Sequence, residues 1–183
     1  MIYQGQAAVN LQARIIHELT GIHMATIADS RAKLRTILSS QGMRTGLIFL
    51  NGLTEHRFTA LYLFNKETLN NQCFFDRENP TLESTPDIPV MASYCVFVRD
   101  SRNIFTTPDS LQDDRVLCHP KRQEVRSYCG VPLCDESGKM FGSICHFDFR
   151  PMPISDANVE LMEAIAPLIN KLMPQFGRSM RSA

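Results

Sequence analysis

The chain has 183 residues, 44% of them hydrophobic and 21% charged, and its 19 Lys plus Arg are balanced by 19 Asp plus Glu. That length fits one domain with a helical appendage and buries about 70% of its extended surface, so no disulfide or metal staple is needed. A formal charge of zero removes the basic surplus that phosphate backbones attract, and nucleic acid is not an expected partner. The longest apolar runs, Leu47–Leu50 and Ala60–Phe64, fall far short of the ~18 residues of a membrane span. Met1–Gln6 lacks the cationic and apolar character of a secretory leader. With six cysteines that such a chain does not need for stability, reduced thiols and a cytoplasmic location are expected.

In chain order, Ala8, Leu11, Ile15 and Leu19 recur at helical spacing and predict a first helix ending near Gly21. Asp29 and Ser30 are good N-caps for a second helix, which turns Leu34, Ile37 and Leu38 inward and stops near Gly42. From Met43 to Leu53 the period does not separate a short buried strand from a helix. Arg57–Asn65 predicts a strand, because Phe58, Thr59, Tyr62 and Phe64 are β-branched or aromatic, with Gln72–Phe75 as its hairpin partner. Asn79–Pro89 is rich in proline and polar residues and predicts a loop. Tyr94–Val98, Ser127–Leu133 and Met140–Phe149 are further strand predictions, the last two joined by a hairpin loop through Gly138. Ser155 and Asp156 open a final helix with Val159, Met162, Ile165, Ile169 and Leu172 inward, and Pro167 is expected to kink it. Terminal helices enclosing hairpins give an α+β domain with helices on one face of a mainly antiparallel sheet.

These residues also carry a resemblance. Ser127-Tyr128-Cys129-Gly130-Val131-Pro132-Leu133, then Gly138, then Phe141-Gly142-Ser143-Ile144-Cys145-His146-Phe147-Asp148 and Pro151–Ser155, resembles the second half of a GAF domain. Ser93-Tyr94-Cys95, Thr107-Pro108-Asp109 and Asp113-Asp114-Arg115 are similar to the family's Cys-bearing segment and acidic loop. Asn51–Thr54 and Arg57–Tyr62 also match, which favours the helix for Met43–Leu53. The resemblance implies a twisted sheet of five or six strands, with helices from the two chain ends on one face and a small-molecule pocket under the 79–126 loops on the other. The expected organisation is an N-terminal helical segment over residues 1–24, a GAF domain over 25–173 and a tail over 174–183.

The expected pocket residues are Tyr62, Tyr94, Cys95, Asp109, Cys118, Tyr128, Cys129, Cys145 and His146. Strand alternation puts Tyr128 and Cys129 on opposite faces, and Cys145 and His146 likewise, so one of each pair faces a ligand. The plainer reading makes the cysteines small buried hydrophobes and the tyrosines core aromatics. Cys118 stands in a polar loop beside Arg115, Lys121 and Arg122, which favour a thiolate, or it is an incidental surface cysteine. No Cys-x-x-Cys or His-x-x-x-His spacing points to a metal, and no P-loop, dinucleotide loop or Gly-x-Ser-x-Gly elbow occurs. The six basic and five acidic residues from Arg99 to Arg126 predict a solvated loop rather than an anion site.

What the resemblance implies for function is a regulatory domain, without a fused output domain, that binds an unidentified small ligand or reports redox state through a Cys95–Cys118 disulfide. No cofactor is required. A homodimer through the terminal helices, or a protein signalling partner, would carry the signal. The alternative is an enzyme: free methionine sulfoxide reductases are GAF-fold proteins whose cysteines lie at places comparable to Cys95 and Cys118. The chain departs from that pattern at His146-Phe147-Asp148 and at Tyr128.

Overall fold

Hairpin strands that are buried on both faces over most of their length build one antiparallel sheet in the computed structural model, which describes residues 26–173. Its strands are β1 (Phe58–Asn65), β2 (Thr68–Asp76), β3 (Ile88–Pro89), β4 (Phe105–Thr107), β5 (Ser127–Cys134) and β6 (Met140–Asp148), in the order β3-β2-β1-β6-β5-β4. The β1–β2 turn is two residues long, with Lys66 at φ 53, and one extra β2 residue bulges the ladder between Leu61 and Tyr62. β6 lies between β1 and β5, pairing Ala60 with Cys145 and Gly130 with Cys145 across the two ladders.

Helices cover one face. Helix α1 (residues 26–40) and α2 (Gly42–Asn51) meet at Gln41, where Gly42 takes a φ of 84 that side-chain-bearing residues avoid. Helix α4 (Asp156–Leu172) starts where the Ser155 hydroxyl accepts the Asn158 amide. Leu34 and Leu38 of α1, Leu47 and Leu50 of α2, and Met162, Ile165 and Ile169 of α4 pack over Leu61, Val131, Leu133 and Ile144 of the sheet. Each such fully buried side chain contributes roughly 1.5–3 kcal/mol of transfer free energy. The opposite face carries a second apolar layer of Phe58, Tyr62, Phe74, Tyr94, Tyr128 and Cys145, closed over by helix α3 (Cys95–Ser101) and the segments around it.

Several expectations are corrected. Tyr94–Val98 is not a strand: Cys95 and Val98, three apart, are both fully buried, and the Ser93 hydroxyl accepts the Cys95 amide at 3.2 Å. Burial of one helical face thus overrides the β-branched bias of Val96 and Val98. Met43–Leu53 resolves as helix α2. Asp29 and Ser30 do not cap α1, which already runs through residue 26. The loop after Asn79 ends in the two-residue edge strand β3, and β4 was hidden because three residues carry no period. Helix α4 continues past Pro167 as one element; both Pro167 and Glu163 are exposed, so water can serve the carbonyl that loses its donor. The Ala8–Leu19 stripe, the 1–24 segment as far as residue 25 and the 174–183 tail lie outside the described residues.

Candidate functional site

A cavity of about 300 Å³ opens between the sheet and its covering segments. The floor comes from the strands: Phe58 and Tyr62 of β1, Phe74 of β2, Tyr128 of β5, and Cys145 and Phe147 of β6. These residues share a face because the side chains of each strand alternate. The roof comes from Thr85, Pro86 and Ile88 on one side, Ala92, Ser93 and Tyr94 before α3, and Lys121, Glu124 and Val125. Ring contacts make the walls stiff: Phe58 stacks on Phe147 at 4.7 Å, and Tyr94 meets Tyr128 edge-on at 5.7 Å. The charged lining residues are Lys121 and Glu124, joined by an ion pair of 2.6 Å at the exposed rim.

Four of the nine residues expected at the pocket line it: Tyr62, Tyr94, Tyr128 and Cys145. Burial raises the pKa of the Tyr62 hydroxyl, which lies beside Thr85 and Asn71, and keeps it protonated. Cys95 sits behind the wall, fully buried at the start of α3, with the Tyr128 hydroxyl donating to its sulfur at 3.3 Å. Tyr128 reaches that sulfur by lying flat over Gly130, two residues on and on the same face, where any Cβ would run into the ring.

The other four are placed elsewhere. Cys129 and His146 point into the helical side of the sheet, as the pleat requires once Tyr128 and Cys145 face the cavity. Burial pushes the Cys129 thiol up to about 12. The His146 ring nitrogen Nδ1 is 2.8 Å from the Thr59 hydroxyl, which accepts from the Asn51 amide at 2.9 Å. Thr59 thus links the His146 imidazole to Asn51, and desolvation drops the imidazole pKa to about 3. Asp109 is a loop clamp: its Oδ1 accepts the Leu111 amide at 3.0 Å and the Arg126 guanidinium at 2.7 Å, which holds its carboxyl below the usual range. Cys118 is exposed and outside the lining.

The sequence reading missed the aromatic walls Phe58, Phe74 and Phe147, whose signal was the same-face alternation with Tyr62 and Cys145. His119, next to Cys118, is buried against Tyr94 at a ring distance of 4.5 Å and outside the lining, with its pKa lowered by desolvation. Arg99–Arg126 is not a solvated loop, since it carries the end of α3, strand β4 and two 3-10 turns that bury Thr107, Ser110 and Val116, but its charges are paired locally, Arg115 with Asp113 and Arg126 with Asp109. Among the described residues no group of three or more metal-ligating side chains occurs, and no helix is long and apolar enough to cross a membrane.

The chain resembles the GAF domain of an Acinetobacter phosphoenolpyruvate-protein phosphotransferase, with a TM-score of 0.69 and 11% identity over 85% of this chain and 98% of that one. It is also similar to the free methionine-R-sulfoxide reductase of Neisseria meningitidis, solved with its substrate (TM-score 0.63, 14% identity, 87% and 93% covered). A GAF sensor protein from Burkholderia vietnamiensis gives a TM-score of 0.63 at 14% identity over 81% and 94%. At these identities the likeness is one of fold. In sequence, a cyclic di-GMP phosphodiesterase of Pseudomonas aeruginosa is 29% identical over 85 residues, an alignment that takes in 44% of this chain and 14% of the relative. The chain thus spans only a small part of that curated relative. The family model described as GAF domain matches residues 13–172, and the chain belongs to the GAF domain family.

Proposed function

We propose that this is a sensory GAF domain whose cavity takes up a small, uncharged, predominantly apolar molecule and whose occupancy is felt by the helices behind the sheet. The observation that carries the reading is the wall: a space of about 300 Å³ lined by Phe58, Tyr62, Phe74, Tyr94, Tyr128 and Phe147. That is the low end of small-molecule pockets, and its chemistry rewards a compact ring system over a charged metabolite. Tyr62, Thr85 and Ser93 supply polar contacts to orient it.

The test is thermal stabilisation by a panel of small neutral aromatics and charged metabolites of the same size. At a hundredfold excess over Kd, a binder stabilises the native state by about 2.7 kcal/mol, a rise of roughly 5–10 °C for a domain of this length. Tyr62→Ala and Phe147→Ala, which open the floor, should abolish the shift. Stabilisation by the charged set alone would overturn the reading.

The reductase reading draws on the likeness to free methionine sulfoxide reductases and on the exposed Cys118. Against it, a zwitterionic amino acid needs free charges in the pocket, whereas Lys121 and Glu124 are occupied with each other and Cys118 is not in the lining. Methionine formed from the free sulfoxide with dithiothreitol, and lost in Cys118→Ser, would establish this second reading in place of the first.

A further inference from the structure

Part of the cavity roof is held from the far side of the sheet. Between β2 and β3, residues 77–87 are exposed except for half-buried Thr85, and they carry Thr85 and Pro86 over the cavity ahead of Ile88. A run with so little buried surface keeps its place by its polar anchors. Next to β3 the anchor is Asp87, whose carboxylate accepts the Asn70 side-chain amide and, at 3.0 Å, the Asn71 backbone amide. Farther back the anchor is Arg44, a residue of α2 and so of the helical layer. Its guanidinium donates to the Pro80 carbonyl at 2.7 Å, reaches that of Leu82 at 3.5 Å and pairs with Glu83 at 3.3 Å. The same group donates at 2.9 Å to the carbonyl of Phe74, whose ring belongs to the cavity floor. Strand β3 pairs only with Thr68 and Leu69, so this stretch of the β2 edge has no neighbouring strand and is served instead by one side chain from the opposite layer. A planar fork of donors can join floor strand, roof segment and helix at one point, as a single ammonium cannot.

We propose that Arg44 is the positioning residue of the cavity roof: it latches residues 80–83 in the closed position and ties the opening of the cavity to helix α2. This rests on the sensory reading above and gives that reading a route from the cavity to the helices. Thr85 and Pro86 follow Glu83 by two and three residues, so a guest that lifts them draws the Pro80 and Leu82 carbonyls off the guanidinium. Arg44 is then left with Phe74 alone, and α2 loses its hold on the roof. When the roof closes again the fork is refilled and α2 is fastened. The segment is a lid whose latch belongs to the layer that receives the signal.

Cys145 is a built-in reporter, because it lines the cavity yet is only 1% exposed; Cys129, equally buried on the helical side of the sheet, is the control. The reduced full chain is treated with N-ethylmaleimide, and the labelling of each cysteine is timed by peptide mass spectrometry. In Arg44→Gln, labelling of Cys145 should quicken about tenfold, the factor that one hydrogen bond from a charged donor carries, with Cys129 unchanged. Arg44→Lys, which restores one charged donor, should recover part of the protection. Asp87→Ala frees the roof without touching α2, and amide exchange over residues 46–51 should rise about three- to tenfold in it, but not when it is added to Arg44→Gln. Cys145 labelling indifferent to Arg44, Cys129 quickening in step with Cys145, or α2 exchange indifferent to Asp87 would overturn the latch. The thermal-shift panel separates the two readings: a ligand shift with labelling indifferent to Arg44 defeats the latch alone, and Arg44-dependent labelling without any ligand shift defeats the sensor's ligand alone.

Discussion

Replacing Gly130 by alanine tests how the site is held together. A Cβ at this position would stand 2.6 Å from Cζ and 2.7 Å from Cε1 of Tyr128, and closer still to its hydroxyl. Ordinary contact is ~3.5 Å or more, so the ring must retreat by roughly 1 Å. It has little room, because Tyr128 is 2% exposed and packed edge-on to Tyr94. Overpacking of this kind costs about 1–3 kcal/mol, against about 0.4–1 kcal/mol gained by restricting the unfolded chain. The net is a loss of up to about 2.6 kcal/mol, or up to roughly 10 °C in Tm. In a Tyr128→Ala background the clash has no partner, so the same substitution becomes neutral or stabilising. Thermal denaturation of the four proteins in this double-mutant cycle gives the coupling directly. An equal effect of Gly130→Ala in both backgrounds, that is no coupling with Tyr128, would refute the view that Gly130 exists to let Tyr128 lie flat.

Two further predictions concern pH. His146 drops to about 3 in the fold from an ordinary 6.5, so the unfolded chain binds a proton that the native one refuses. Stability is whole above pH ~6.5 and falls toward pH 3 by at most ~1.4 kcal/mol per unit; His56 is shifted the same way. Urea midpoints between pH 7.5 and 4.5 should show the decline and His146→Gln should flatten it, whereas an unaltered slope would clear His146 of the effect. Asp76, buried at the end of β2, takes two bonds of 2.7 Å from Arg57, which hold its carboxyl below the usual range. Its contribution is present above pH ~4 and is lost as pH falls through the lowered folded value. Asp76→Asn should therefore cost about 1–3 kcal/mol at pH 7 and much less at pH 2; equal losses at both would exclude the ion pair as the cause.

The strands and the layer architecture were readable because hairpins advertise themselves twice, by β-branched and aromatic content and by turn residues. Ser127–Leu133 and Met140–Phe149 came within a residue of β5 and β6 at every end. Alternation also separated Tyr128 from Cys129 and Cys145 from His146, yet it could not say which member faces the cavity. That choice is made by residues distant in sequence: Ala60 and Tyr62 on β1 present the cavity side, Thr59 and Leu61 the helical side, and β6 must match them in register. Cys95 was misassigned to a strand because Val96 and Val98 favour β structure locally, whereas burial of one face of α3 against the sheet acts through tertiary placement. The Cys95–Cys118 pairing was carried by a resemblance, and the structure buries Cys95 at the start of α3 while leaving Cys118 exposed.

The neighbours Cys145 and His146 give strand β6 a property of its own. One residue touches the cavity, the next is wired through Thr59 to Asn51 in the last turn of α2. No cushioning layer separates the two sides, since they share a single peptide unit. Under the sensory reading proposed above, a guest that tilts Cys145 would rotate that unit and so tug on the imidazole beyond it. On that reading the sheet would be a diaphragm rather than a partition, with the stiffness of one strand setting how faithfully pressure on one side is felt on the other.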